Sequence, residues 1–376
     1  MAEPRANKDL ASARPASADT QKTHVISVDA MGGDHGPSTV VKGLARAAYK
    51  NGDLRFVLHG PEDQLAPLVA KRKISDITTI VHADGVVAMK DKPSHVMRHG
   101  KGTSMWSAIE SVRSGQADVV VSCGNTGALM ALSMVRLRKL PGVNRPAIAI
   151  MWPSYSKAGF SVMLDVGADI RADAKDLMQY ALMGAAYARN GLGIARPRVG
   201  VLNVGTEEHK GRSELLEAVH LIEGQAQSAN FESLGFVEGG QIPSGNVDVI
   251  VTDGFTGNIA LKTGEGTASF VSDSLRSAFK HSPLSRLAAL MAYTSLRRLK
   301  HRIDPRRVNG GVFLGLNGTV VKSHGAADPT GIAAAVNLAH QLSRSGFQDR
   351  LAVRVAEAGG FANAGQSETK DTHDGA

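Results

Sequence analysis

Only one cysteine, Cys123, occurs in 376 residues, so no internal disulfide can form and a reducing compartment is expected. It lies in the run Asp118-Val-Val-Val-Ser-Cys-Gly124 and reads as a small core residue, the commoner fate of a free cysteine, in preference to a catalytic thiol. No stretch of eighteen apolar residues is present, so no segment is expected to span a membrane. The chain also lacks a G-x-x-x-x-G-K-[ST] loop, an H-E-x-x-H pair, a G-x-S-x-G elbow, a G-x-G-x-x-G fingerprint and paired cysteine ligands. Its 13 histidines show no metal spacing; only His35, His209 and His324 stand in glycine-rich loops. These absences argue against P-loop chemistry, zinc hydrolysis, serine hydrolysis and dehydrogenation, and no metal or cofactor is expected. What remains is anion chemistry carried by backbone amides and cations.

Residues 1–23 have no apolar centre and read as a disordered extension, as do residues 363–376. Residues 24–362 are expected to form a single large α/β catalytic domain in a cytoplasmic protein. Strand-like runs recur at Arg55–His59, Ile77–Ala83, Asp118–Ser122, Ala147–Trp152, Phe160–Asp165, Val199–Asn203 and Val247–Thr252. Helical patterns separate most of them: Ser38–Lys50, Ser104–Arg113, Ala128–Lys139, Asp173–Asn190, Ser213–Ala229 and Gly257–Phe279. Continuous apolar strands alternating with helices predict an α/β fold, a mostly parallel sheet with helices on both faces.

Glycine is abundant, 41 of 376, and concentrates where these strands end. The first such stretch, Val25-Ile-Ser-Val-Asp-Ala-Met-Gly-Gly-Asp-His-Gly-Pro37, reads as strand, tight loop and helix, a geometry that attracts anions to free helical N–H groups. Further clusters follow at Gly124-Asn-Thr-Gly127, Asp165-Val-Gly167, Asn203–Glu207 and Asp253–Asn258. Ligands in open α/β sheets bind beyond the carboxyl ends of strands, so these five clusters are expected to converge on one rim. Each alone also fits ordinary turn and capping chemistry. Within them, Gly32, Gly33, Gly124, Thr126 and Gly127 are candidates to bind phosphate or an oxyanion, and Lys101 and Lys262 to supply charge. Lys210, in Thr206-Glu-Glu-His-Lys-Gly211, offers a point charge, with a solvated surface lysine as the alternative.

Asp29-Ala-Met-Gly-Gly-Asp34 followed by Gly36-Pro37 resembles the opening signature of the bacterial phosphate acyltransferases of phospholipid synthesis. The resemblance extends through Ser122–Leu129, Leu164–Ala168, Val201–Gly211, Val247–Thr263, Gly310–Gly315 and Lys322–Gly325, over roughly residues 24–345. It departs in the Gly100–Thr103 segment and at His209. The family implies a fold similar to phosphate acetyltransferases and isopropylmalate-type dehydrogenases. It implies transfer of a fatty acyl group from acyl carrier protein to inorganic phosphate, giving an acyl phosphate, with no cofactor. On that reading Lys210, Asn125, Asp253 and Asn258 are the catalytic candidates, oriented by Asp29, Asp34 and Asp165. An acyl-coenzyme A donor, or a non-catalytic scaffold binding carrier protein or membrane, are the alternatives.

The net charge of +8 is confined to one place: between Arg276 and Arg307 nine basic residues face one acid, a surplus equal to that of the whole chain. Ser282-Pro283 starts a helix there, with Leu284, Leu287 and Met291 on one side and Arg286, Arg297 and Lys300 on the other. A basic amphipathic excursion over about 276–307 suits an anionic membrane surface, a carrier-protein dock or a dimer contact. Nucleic acid is not expected, because the cluster lacks aromatic interleaving, with Tyr293 nearby. The family resemblance implies a homodimer held peripherally at the membrane, supplying a membrane glycerol-3-phosphate acyltransferase.

Overall fold

The computed structural model describes residues 22–303, 310–353 and 355, with backbone alone for 299–303. The disordered extension expected over residues 1–23 falls almost wholly outside the described residues. So do the tail at 363–376, positions 304–307 of the excursion and the side chain of Lys300.

Eleven strands form one sheet. In chain order they are β1 (His24–Asp29), β2 (Leu54–Gly60), β3 (Thr78–His82), β4 (Val119–Ser122), β5 (Ala147–Pro153), β6 (Phe160–Leu164), β7 (Arg198–Asn203), β8 (Glu232–Glu238), β9 (Val249–Val251), β10 (Gly311–Leu314) and β11 (Thr319–Lys322). Their spatial order is β3-β2-β1-β4-β11-β10-β5-β6-β9-β7-β8. The expected mostly parallel sheet is present, and the central strands explain why it was legible: Val119, Val120 and Val121 are all buried, because both faces of β4 are covered.

The helices are α1 (Gly36–Ala48), α2 (Glu62–Lys71), α3 (Pro93–His99), α4 (Ser104–Arg113), α5 (Thr126–Arg136), α6 (Ala174–Leu192), α7 (Ser213–Gln225), α8 (Gly254–Lys280), α9 (Pro283–Met291), α10 (Tyr293–Ile303) and α11 (Pro329–Arg344). One apolar cluster joins the sheet to α1, α6, α7 and α11; a second joins it to α4 and α5. Local chemistry sets several ends. Asp173 and Asp176 form a reciprocal capping box on α6, and the helix stops at Gly193, whose φ of 69° suits glycine.

The single rim expected for the polar clusters is not formed. Three consecutive antiparallel pairings, β11 with β10, β10 with β5 and β5 with β6, turn the middle of the sheet around. As a result β6, β9, β7 and β8 run opposite to β1–β4 and β11. Asp29–Asp34 and Gly124–Gly127 therefore follow strands of one direction and the clusters after β6, β7 and β9 strands of the other, although Val166 and Asn258 reach the same cavity as Thr126. Strand direction leaves no trace in hydrophobic periodicity, and the reversing strand β10 is only four residues long.

Beneath β1 a buried polar knot holds His59, which faces Ser27 Oγ at 3.0 Å and Ser107 Oγ at 2.8 Å. Burial pushes its imidazole down to about 4. The unfolded chain takes up this proton below about 6.5 and the folded one does not. Stability contributed by neutral His59 is thus fully present above pH 6.5 and lost as pH falls toward 4, a loss of up to about 3 kcal/mol. Urea unfolding of wild type and His59→Asn at pH 7, 5.5 and 4.5 should show this component of the slope only in wild type; equal slopes would remove it.

Candidate active site

Strand register assembles the site. Asp29 pairs with Ser122 on β4, Ser122 with Lys322 on β11, Lys322 with Gly311 on β10, and Gly311 with Ile150 on β5. Residues level with one another across a sheet project from the same face. This row therefore carries a carboxylate, a hydroxyl, an ammonium and an apolar side chain side by side. Asp29 accepts hydrogen bonds from Ser104 Oγ and Ser122 Oγ, each at 2.7 Å, and is fully buried. Burial pushes its carboxyl above the usual range, against the pull of the two serines. Lys322 donates to the Ser323 carbonyl. Burial drives its ammonium down to about 8, opposed by Cys123, Asp29 and Asp34 and assisted by the like charge of Lys262.

Lys322 opens onto a cavity of about 380 Å³ between the sheet and α8. Its polar lining includes Thr126, Asn258, Lys262 and Ser323; its wall is apolar, with Ile148, Ile150, Trp152, Val166 and Leu261. Thr126 is the first residue of α5, where the helix dipole favours an anion. Helix α8 reaches the wall because glycine lets it: a Cβ on Gly257 would lie 1.9 Å from the Asp165 carbonyl oxygen, and one on Gly264 would lie 2.6 Å from the Trp152 ring. Such a cavity can hold a long apolar chain with an anionic group at the lysine end.

The predicted site residues divide. Thr126, Asn258 and Lys262 come together in the cavity, although Lys262 is also paired with Glu265 at 2.8 Å and Asn258 donates to the Val166 carbonyl at 3.0 Å. Gly32, Gly33 and Gly124 form the crossing beside Asp29, and the backbone N–H of Asp34 bonds Gly325 O at 2.9 Å. Asn125 caps α5, accepting from the Ala128 N–H and donating to the Met89 and Asp91 carbonyls, so its amide is committed to structure. Gly127 sits against Pro93, and Lys101 is exposed in the turn before α4.

After the oppositely directed strands, Asp165 accepts from the backbone N–H groups of Ile148, Gly167, Ala168 and Asp169. Asp253 caps α8 and pairs with Arg212 at 2.6 Å. Lys210 is exposed, pairs with Glu207 at 2.8 Å and does not line the cavity. Lys322 is the residue that reading the sequence passed over. Its signal was present, a cation ending the apolar run Thr319-Val-Val-Lys322 before a Ser-His-Gly turn.

The fatty acid synthesis protein family matches residues 24–350. A phosphate acyltransferase from Jannaschia sp. (strain CCS1) is 68% identical over 335 residues, covering 89% of this chain and 92% of the relative. One from Ruegeria sp. (strain TM1040) is 68% identical over 345 residues, 92% of each chain. The chain belongs to the phosphate acyltransferase family. It is accordingly an acyltransferase, of the kind that serves fatty acid and phospholipid synthesis. Among solved structures, phosphotransacetylases from Streptococcus pyogenes and Staphylococcus aureus align with TM-scores of 0.56 and 0.54 at 17% and 16% identity. They cover 85% and 86% of this chain, and 94% and 96% of their own, and share its fold. The cavity at Lys322 sets an apolar wall beside two lysines.

Proposed function

We propose that this phosphate acyltransferase moves a fatty acyl group from acyl carrier protein to inorganic phosphate, releasing an acyl phosphate for phosphatidic acid synthesis. The observation that carries this reading is the cavity in which an apolar wall ends at Lys322 and Lys262. A phosphate oxygen attacks the thioester carbonyl, the new C–O bond replaces the C–S bond, and the carrier leaves as a thiolate that takes up a proton. Phosphate is a competent nucleophile, so the protein's task is positioning, worth about 7–11 kcal/mol, and oxyanion stabilisation, worth about 3–4 kcal/mol per donor. Lys322 and Lys262 hold phosphate and oxyanion charge, Thr126 and Asn258 donate hydrogen bonds, and Asp29 orients Lys322 through the Ser122 row. Palmitoyl-acyl carrier protein is incubated with and without phosphate, and hydroxylamine traps the product. Phosphate-dependent thioester loss with a hydroxamate is expected; an untouched thioester in both tubes would sink the reading.

We also propose that the enzyme works as a homodimer held at a membrane surface. No helix among the described residues is long and apolar enough to cross a membrane. Beyond Gly254 and Gly257, however, α8 is not buried, and α9 exposes Leu284, Leu287 and Met291 beside Arg286. Apolar residues with neighbouring cations suit an anionic interface, each basic residue adding about 1 kcal/mol. Leu287→Asp with Met291→Asp should abolish flotation with phosphatidylglycerol vesicles while leaving turnover of the soluble substrate intact. Unchanged flotation would reassign this face to the dimer.

A further inference from the structure

A second, larger groove, of about 1040 Å³, runs along α1 and α11 on the other side of the molecule's central strands. Its charged lining is entirely basic: Lys42 and Arg46 from α1, Lys50 from the turn after it, and Lys71, Arg72 and Lys73 where α2 ends. No carboxylate lines it, in a chain whose charge outside residues 276–307 sums to zero. The end of α2 accounts for three of these cations, since a helix C-terminus favours positive charge. Arg46, in the last turn of α1, and Lys50, just past its end, share that explanation; Lys42, one turn earlier, does not. Lys42 and Arg46 stand at i and i+4 on α1, and like charges at that spacing cost a helix about 0.2–0.5 kcal/mol. Between the cations lies an apolar floor that includes Ala45 and Ala333, with Tyr49 standing 93% exposed at its edge.

The groove touches the active site. Met151, near the tip of β5, lines both the basic groove and the cavity that holds Lys322. Strand β10 begins at Gly311, opposite Ile150, so no residue of β10 pairs with Met151 and the strand tip is shared by the two hollows. A partner seated in the groove would present a flexible arm at the mouth of the cavity.

We infer that the α1–α2 groove is the docking surface for an acidic carrier domain, which seats a negatively charged helix between the two rows of cations and delivers its thioester past Met151. An amphipathic helix laid in a groove would bury Tyr49 while its acids meet Lys42, Lys50 and Lys71. The inference deepens the carrier-donor reading and rests on it, and it separates the carrier's site from the basic α9. Complementary charge of this kind speeds encounter and falls off with salt.

The test uses the full-length protein and fluorescently labelled, unacylated acyl carrier protein, so that binding is read without turnover. Wild type is compared with Lys42→Glu/Lys50→Glu/Lys71→Glu and with the milder Gln triple, which guards against a folding defect. Binding should weaken at least tenfold in the Glu variant and less in the Gln variant, and the wild-type affinity should fall with salt. In turnover, KM for the carrier-bound donor should rise at least tenfold with kcat unchanged, while acyl-pantetheine is used within twofold of wild type. Equal carrier affinity in all three proteins would overturn the proposal. So would loss of flotation on anionic vesicles in the variants with carrier binding intact, which would make the groove a lipid surface. If wild type binds carrier through these lysines but transfers no acyl group to phosphate, the docking surface stands and the catalytic reading fails.

Discussion

Lys322→Met is expected to lower kcat/KM for acyl transfer to phosphate about 10³-fold while making the protein harder to unfold at pH 7. On the proposed mechanism the loss follows from removing a charge aimed at the developing oxyanion, where one donor is worth about 10²–10³ in rate. The gain follows from the environment of the ammonium. Lys322 is held down to about 8 by burial, so keeping it charged at neutral pH costs folding free energy. A shift of this size corresponds to about 3 kcal/mol; with Asp29 left behind, roughly 1–2 kcal/mol should be recovered by methionine. The sign can be checked in pH. Between pH 8 and 10.5 the unfolded chain holds this proton and the folded one does not, so wild-type stability contributed here rises through that window and is lost as pH falls through 8. Lys322→Met should lack that rise. Catalysis should move the other way, declining in wild type as pH climbs past about 8 and the ammonium discharges. Lys210→Ala, across the sheet and paired with Glu207, should stay within a few-fold of wild type. A steep loss in Lys210→Ala with a mild one in Lys322→Met would exchange their roles.

Gly32→Ala is expected to be strongly damaging. A Cβ there would lie 2.5 Å from Asp29 Oδ2, 2.7 Å from Gly124 N and 2.8 Å from Gly124 Cα. The carboxylate could rotate, but two backbones cannot both give way, because β1 and β4 are pinned by their ladder from Ile26–Val119 to Asp29–Ser122. The cost should be about 3 kcal/mol or more, at the top of the overpacking range. It should fall on the clasp of Ser104 and Ser122 around Asp29, and through it on Lys322. Thermal unfolding should drop by several degrees, and kcat should fall more than the stability loss alone predicts when activity is assayed well below the melting point. A folded, fully active Gly32→Ala enzyme would mean that the crossing of the two loops is looser than this geometry.

Much of the fold was legible because its central strands are buried on both faces, so Val119–Val121 and Val199–Leu202 stand out as apolar runs between amphipathic helices. The capping residues Asn125, Asp173 and Asp253 were visible too, though Asn125 and Asp253 were read as chemistry; in the fold Asn125 bonds backbone through both ends of its amide, and Asp253 caps α8 and pairs with Arg212. The reversal at β10 was not legible, since a four-residue strand carries no direction and its partners lie up to 170 positions away in the chain. That reversal is why Lys210 and Lys322, both lysines near glycine turns at strand ends, belong to strands of opposite direction. Telling them apart took register, which only the pairing Asp29–Ser122–Lys322 supplies.

Helix α8 spans 27 residues, about 40 Å at the usual rise, and its only buried residues are Gly254 and Gly257 in its first turn. One flank of the next few turns, from Asn258 to Ala268, lines the cavity at Lys322, while the far end leads into α9 and its cations. The rod is anchored at its foot, where Gly254 and Gly257 pack on Asp165, and its other end stands at the protein surface. On the proposed reading, a contact made at that far end, by lipid or by a second subunit, would be felt along the same rod at the cavity wall.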